Sequence, residues 1–238
     1  MKTLNYFLII VAVGVLVSCK KKEVAPPEPR DTIVQVGSLE ALKQGSCESR
    51  TTVGATRAHG DLALGYSKGL GSEFIMLSNK AYRTAAQGAL IPSGETDELA
   101  FATAAFFEPD LMFDIGPTPR KIYENAMDMK RPSPGRIYAY RIHGAFSRMT
   151  VRQLPPALDP CEKLTRALNH VETTEHTNVT GTLFGFWSPR SLRVIAGEGY
   201  EYGFVSAAGD FGGRVTDFEI TQARIEIDDS DEVLIKLE

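Results

Sequence analysis

The chain has 238 residues, with 26 Lys and Arg against 30 Asp and Glu, for a formal charge of −4. This near-balance provides no basic field for nucleic acid, so that partner class is excluded. A hydrophobic share of 43% in a chain of this length is enough for one large or two small domains with a buried core.

The N-terminus reads as an address. Lys2 is followed by an apolar run from Tyr6 to Val17, too short to span a bilayer comfortably. Leu16-Val17-Ser18-Cys19 resembles a bacterial lipobox, which makes residues 1–18 a lipoprotein signal peptide and Cys19 the lipidated mature N-terminus; an ordinary secretory signal with a chance cysteine is the alternative. Residues 19–31 are charged and proline-rich (Lys20-Lys21-Lys22-Glu23, Pro26-Pro27-Glu28-Pro29) and fit an extended tether. The expected location is the envelope of a Gram-negative bacterium, at the outer membrane facing the periplasm, with acyl chains on Cys19 making the membrane contact. In that oxidising compartment Cys47 and Cys161 either pair or stay as two separate thiols.

The folded region is expected over 32–238. Ile33 to Val36 suggests a strand, Ser38 to Leu42 a capped helix start, and Gly45 to Thr56 a loop. Strands are predicted at Leu62 to Gly65, Glu73 to Leu77, Ala81 to Arg83 and Phe101 to Phe107, with a turn at Ser78-Asn79-Lys80. The continuous apolar run Phe74 to Leu77 predicts a strand covered on both faces. A helix over Thr118 to Met129 ends before Arg131-Pro132-Ser133-Pro134-Gly135, the best internal boundary, giving subdomains of about 32–131 and 136–238. Beyond it come strands at Ile137 to Ile142 and Phe146 to Leu154, then a short helix at Cys161 to Asn169. Further strands follow at Thr180 to Trp187, Tyr200 to Ala207, Arg214 to Ile220, Ala223 to Ile227 and Val233 to Leu237. The pattern predicts an α+β fold of two packed, sheet-containing subdomains with mixed β-sheets and a few short helices.

Five blocks in order carry a resemblance. They are His59-Gly60-Asp61-Leu62-Ala63-Leu64-Gly65; Glu73-Phe74-Ile75; Tyr138 to Phe146; Gly181-Thr182-Leu183-Phe184-Gly185-Phe186-Trp187-Ser188-Pro189; and Gly199 to Phe204 with Gly212 to Phe218. Together they resemble the acetolactate decarboxylase family across nearly the whole mature chain. In that family the last block typically reads G-Y-H-x-H-F and G-G-H-V-x-D-F, and its three histidines hold zinc. Here the three positions are Glu201, Gly203 and Arg214.

The resemblance implies that active members use zinc as a Lewis acid on 2-acetolactate, releasing carbon dioxide and forming acetoin. It places the family's substrate-holding arginine on Arg152 and an active-site glutamate on Glu73; a solvated arginine and a structural ion-pair partner are the alternatives. A further glutamate of the family's C-terminal tail has no evident counterpart. Gly203 has no side chain, and a guanidinium has no lone pair for a cation, so no metal or other cofactor is expected. Arg214 is expected either to put its own charge near the vacated metal position, paired with Glu201, or to be one of two unrelated exposed charges. Among the histidines, His59 reads as structural and His143 as part of a turn. His170 and His176, with Glu172 and Glu175, form a weak metal-like cluster around a loop.

The sequence therefore predicts a lipid-anchored, acetolactate-decarboxylase-like protein without zinc-dependent decarboxylation, with Arg152 and Arg214 suited to a small carboxylate ligand. The alternative is an active decarboxylase or related hydroxy-keto-acid enzyme with a rebuilt metal site. A third is an envelope interaction protein. The sequence is compatible with a monomer or an oligomer.

Overall fold

A computed structural model describes residues 31–131, 133–155, 161–193 and 196–237. The segment read from sequence as a signal peptide, and Cys19, lie outside the described residues.

The first sheet is built from β1 (Thr32–Val36), β2 (Thr51–Thr52), β3 (Leu62–Ser67), β4 (Glu73–Leu77), β5 (Lys80–Thr84), β6 (Leu90–Pro92), β7 (Glu98–Ala105) and the C-terminal β14 (Glu232–Lys236). Its order is β14-β1-β7-β3-β4-β5-β6, with β2 also pairing with β7, and it is mixed because β1 and β14 run parallel. Ser38 caps α1 (Leu39–Lys43) by accepting from the Ala41 N–H, and Thr52 caps α2 (Val53–Arg57) through Ala55. Ser78 (φ 48°) and Asn79 (φ 67°) are both left-handed, as a two-residue primed hairpin turn demands, and this sets Leu77 opposite Lys80.

The second sheet contains β8 (Leu111–Ile115), β9 (Thr118–Pro119), β10 (Tyr138–Gln153), β11 (Glu172–Ser188), β12 (Gly199–Ser206) and β13 (Gly212–Asp229). Its described pairings are antiparallel, and β10 pairs with β13 as well as β11, so β10-β11-β12-β13 closes on itself. Helix α3 (Arg120–Lys130) covers this ring with Tyr123 and Met127 fully buried, while α4 (Leu164–Leu168) packs beside α1. Here the chain departs from the sequence reading in several places, the first being that the loop expected from Gly45 to Thr56 ends in β2 and α2. The four strands expected between Ile137 and Ile227 outside the two hairpin partners are two continuous ones, β10 and β13. The loop expected around His176 is the first half of β11. The chain changes sheets between Ala105 and Leu111, not at the proline-glycine break, and β14 returns to the first sheet.

The site is positioned by the contact between the two sheets. On β4, Ile75 faces the second sheet in a cluster with Leu62, Leu64, Phe184, Phe186 and Val205, while Phe74 and Met76 pack on the opposite face with Val53 of α2. Strand period then sends Glu73 the same way as Ile75, toward the second sheet. A smaller core holds Leu42, Tyr66, Phe101 and Leu164 beside Cys47. Cys47 and Cys161 form a disulfide with Cα atoms 5.0 Å apart, 114 positions apart in sequence, tying the α1 end of the first half to α4.

Closing so long a loop restricts the unfolded chain, which predicts that replacing both cysteines by serine lowers unfolding free energy by about 2–5 kcal/mol. Urea denaturation of the wild-type and doubly substituted proteins measures this, and dithiothreitol should reproduce the loss in the wild type alone.

Candidate functional site

Four positions singled out from sequence line up across three strands. Arg152 of β10 is paired directly with Arg214 of β13, and Arg214 directly with Gly203 of β12. Directly opposed residues share a face, and Glu201, two residues before Gly203, shares it too. That face meets the first sheet, where Glu73 and Tyr66 project from β4 and β3.

Arg152 donates from Nε to Glu73 Oε1 at 3.0 Å and from Nη2 to the Tyr66 hydroxyl at 3.4 Å. Arg214 donates from Nη2 to Glu201 Oε2, and its guanidinium carbon lies 5.8 Å from the centre of the Tyr66 ring. The two exposed charges considered as an alternative are thus a single ion pair, with Arg214 almost fully buried at 6% side-chain exposure and Glu201 at 41%. Glu201 borders a cleft also lined by Leu39, Leu64, Tyr66, Phe101, Thr103 and Arg214. Its volume is about 30 Å³, room for one or two waters.

The electrostatics follow from crowding two guanidiniums and two carboxylates between sheets. Burial raises the pKa of Glu73 against the opposing pull of Arg152 and Arg214. Burial also pushes Glu201 upward, but Arg214 and Arg152 outweigh it and hold that carboxyl below its usual value. Burial works against the Arg152 charge, yet Glu73, Tyr66 and Glu201 more than compensate and raise its pKa. The Tyr66 hydroxyl is pushed up to about 12, by burial first, with Arg214 opposing. Two buried polar atoms at this site have no hydrogen-bond partner among the described residues: Glu73 Oε2 and Arg214 Nε.

A zinc ion does not fit this donor set. Arg214 cannot ligate a cation, Glu201 is a single carboxylate already bound to Arg214, and Gly203 offers nothing. The space beside Gly203 is also filled: a Cβ there would meet Leu64 Cδ2 at 2.8 Å and Phe184 Cζ at 2.9 Å. Leu64 and Phe184 are both buried in the inter-sheet core, so a histidine at 203 requires that core to move.

The histidines do not assemble a replacement. His59 Nε2 lies 3.1 Å from Lys236 Nζ. His143 sits in the middle of β10, not in a turn, with Nδ1 2.9 Å from Thr182 Oγ1 and Nε2 3.6 Å from Glu226. His176 lies in β11 and stacks on Phe211 at 4.0 Å. Among the described residues the one group of three His, Cys, Asp or Glu side chains with ligand atoms in mutual reach is Cys47, Glu48 and Cys161. Its cysteines are joined as a disulfide and are not free thiolates.

Tyr66 was missed in the sequence, although alternation with Leu62 and Leu64 puts it on the same face of β3 as those residues. Arg120, on α3, also contributes charge toward Glu201.

The family model for alpha-acetolactate decarboxylase matches residues 33–238. The chain belongs to that family. It is 27% identical over 213 residues to the alpha-acetolactate decarboxylase of Bacillus licheniformis, covering 88% of this chain and 84% of the relative. It is 29% identical over 198 residues to that of Methylococcus capsulatus, covering 82% and 76%. The crystal structure of alpha-acetolactate decarboxylase from Bacillus subtilis strain 168 superposes with a TM-score of 0.82 at 25% identity, over 86% of this chain and 88% of that one. A Staphylococcus aureus protein of unknown function similar to alpha-acetolactate decarboxylase shares the fold, with a TM-score of 0.83 at 22% identity over 86% and 88%.

Removing Arg152 strands a fully buried Glu73. Arg152→Met should therefore destabilise the protein by about 3–5 kcal/mol, and adding Glu73→Gln should recover part of that loss. Denaturant unfolding of the two single variants and the double variant checks the coupling.

Proposed function

We propose that this chain is an envelope lipoprotein of the alpha-acetolactate decarboxylase family that no longer carries out zinc-dependent decarboxylation and binds a small carboxylate at Arg214. The observation that carries this reading is the Glu201–Arg214 ion pair, standing in two of the three positions where the family pattern has imidazoles. The acyl anchor on Cys19 follows from the lipobox and the tether, as read from sequence.

Binding has a physical route. The cleft beside the pair holds only one or two waters, so a carboxylate ligand enters by taking the place of the Glu201 carboxylate on Arg214. Glu201 is the exposed partner and the one able to swing out; Arg214 is held by the core. The unpartnered Nε–H of Arg214 offers the incoming group a second donor, and a guanidinium binds a carboxylate best through two parallel N–H bonds.

The first test uses the purified mature protein. Elemental analysis should find far less than one zinc per chain, and incubation with 2-acetolactate should yield no acetoin above the spontaneous rate. One zinc per chain with turnover sinks the reading in favour of an active decarboxylase.

The second test addresses the ligand. Calorimetric titration with lactate and pyruvate should show weak binding to the wild type, binding roughly tenfold tighter to Glu201→Gln, and none to Arg214→Gln. A factor of ten corresponds to about 1.4 kcal/mol, close to the lower end of what a hydrogen bond to a charged group contributes. Equal affinities for wild type and Arg214→Gln would remove the carboxylate from this site.

A further inference from the structure

Of the six large apolar side chains exposed among the described residues, Ile122 (55%) and Met129 (83%) lie on α3, and Leu111 (41%) of β8 shares the strand face of Phe113, the face α3 packs on; Met112 (57%) points to the other face. Leu111 and Met112 open β8, which pairs with β13 on one side and has no strand on the other among the described residues. On α3, Ile122 and Met129 are seven positions apart and fall within roughly 20° of one another around the helix. The same turn geometry puts Ala126 and Lys130 between them and the buried Tyr123 and Met127. Lys130 Nζ lies 4.6 Å from the centre of the Phe113 ring, which fixes this flank of α3 beside β8. Leu111, Ile122 and Met129 therefore lie along one helix flank and the adjoining open strand edge.

What lies against this surface is indicated by where the described chain begins. Asp31 lines a groove of about 340 Å³ together with Leu111, Lys130, Asp110 and Arg136. The tether thus leaves the folded region at the margin of the apolar surface. Eleven residues separate Asp31 from Cys19, so even fully extended they reach no farther than about 40 Å. Helix α3 itself is about 16 Å long. A bilayer holding the Cys19 acyl chains is within the tether's reach of the patch.

We propose that the α3 flank and the β8 edge lie on the lipid surface to which Cys19 is anchored, with Ile122 and Met129 inserted at the headgroup boundary. The proposal rests on the lipoprotein reading above. The charges around it select the lipid. The groove beside Leu111 carries Asp31, Asp110, Asp229 and Asp231 against Lys130 and Arg136, so a zwitterionic surface suits it and a strongly anionic one does not.

The test uses acylated mature protein in phosphatidylcholine vesicles, with and without bromine on the acyl chains. Met129→Cys, Ile122→Cys and, as a control at the start of β5, Lys80→Cys are each labelled with bimane. Cys47 and Cys161 are disulfide-bonded, and Cys19 carries its lipid, so the introduced thiol is the one that reacts. Brominated chains should remove roughly half the fluorescence at 129 and 122 and almost none at 80. Vesicle-bound, acylated protein with no quenching at 129 overturns the patch while leaving the anchor intact. A disulfide-linked dimer through Met129→Cys without quenching assigns the surface to a second copy and also overturns it. Mass spectrometry showing no acyl group on Cys19 removes the anchor, and the proposal with it.

Discussion

The site depends on one constraint: the antiparallel register that places Arg152, Arg214 and Gly203 side by side across β10, β13 and β12. Two guanidiniums directly opposite one another on neighbouring strands repel, and here they do so between sheets, where water is scarce. The fold answers with one carboxylate for each. Glu73 reaches Arg152 from the facing sheet, and Glu201 reaches Arg214 from the adjoining strand. The first of these pairs therefore also joins the sheets, so the chemistry of the pocket and the packing of the two layers are not separable. Disturbing the arginine row disturbs the interface that holds β4 against the ring of β10 to β13.

The same coupling explains why the zinc pattern does not return by one substitution. Restoring a ligand at 214 removes the partner of Glu201, and restoring one at 203 displaces Leu64 and Phe184. Each change creates a new unpaired charge or an overpacked core before any metal can contribute stabilisation. The present arrangement is internally consistent: the core fills the space where a side chain at 203 would stand, and Arg214 has an anion beside it. Arg214 and Glu201 are complementary in a way that two independent surface charges would have no reason to be.

Much of this was legible in residue order. The blocks around His59, Gly181 and Gly212 mark the family, and period-two alternation from Ile75 assigns Glu73 to the inner face. What misled was phase. In β10 the buried residues run Tyr138, Tyr140, Ile142, Phe146 and then Met149 and Val151; in β13 they run Phe218 and Ile220 and then Ala223, Ile225 and Ile227. Register shifts between Ala145 and Phe146 and between Phe146 and Arg148 insert an extra residue, so the inward side switches from even to odd positions. Read without a partner strand, such a switch looks like the end of one strand and the start of another. It also decides the site, because the switched phase is what turns Arg152 toward the first sheet while Val151 enters the other core. The polar first half of β11 failed for a different reason: it is paired on one side and solvated, so Glu172 to Thr180 lacks the apolar alternation that identifies a half-buried strand.

The substitution changes what the pocket can attract. A zinc ion on three neutral imidazoles, the arrangement the family pattern implies, presents two positive charges to an anionic substrate. Arg214 beside Glu201 presents none in sum, and Arg152 is already engaged by Glu73. An approaching carboxylate therefore meets a neutral quartet and gains little at a distance. In the binding proposed above, its gain comes only on exchange, when it replaces one carboxylate on Arg214 by another and Glu201 moves to solvent. Affinity is then set by the difference between two similar ion pairs, not by the strength of either. That favours weak, readily reversible binding, and it makes the geometry of the ligand, through a second bond to the free Nε–H of Arg214, the main source of discrimination.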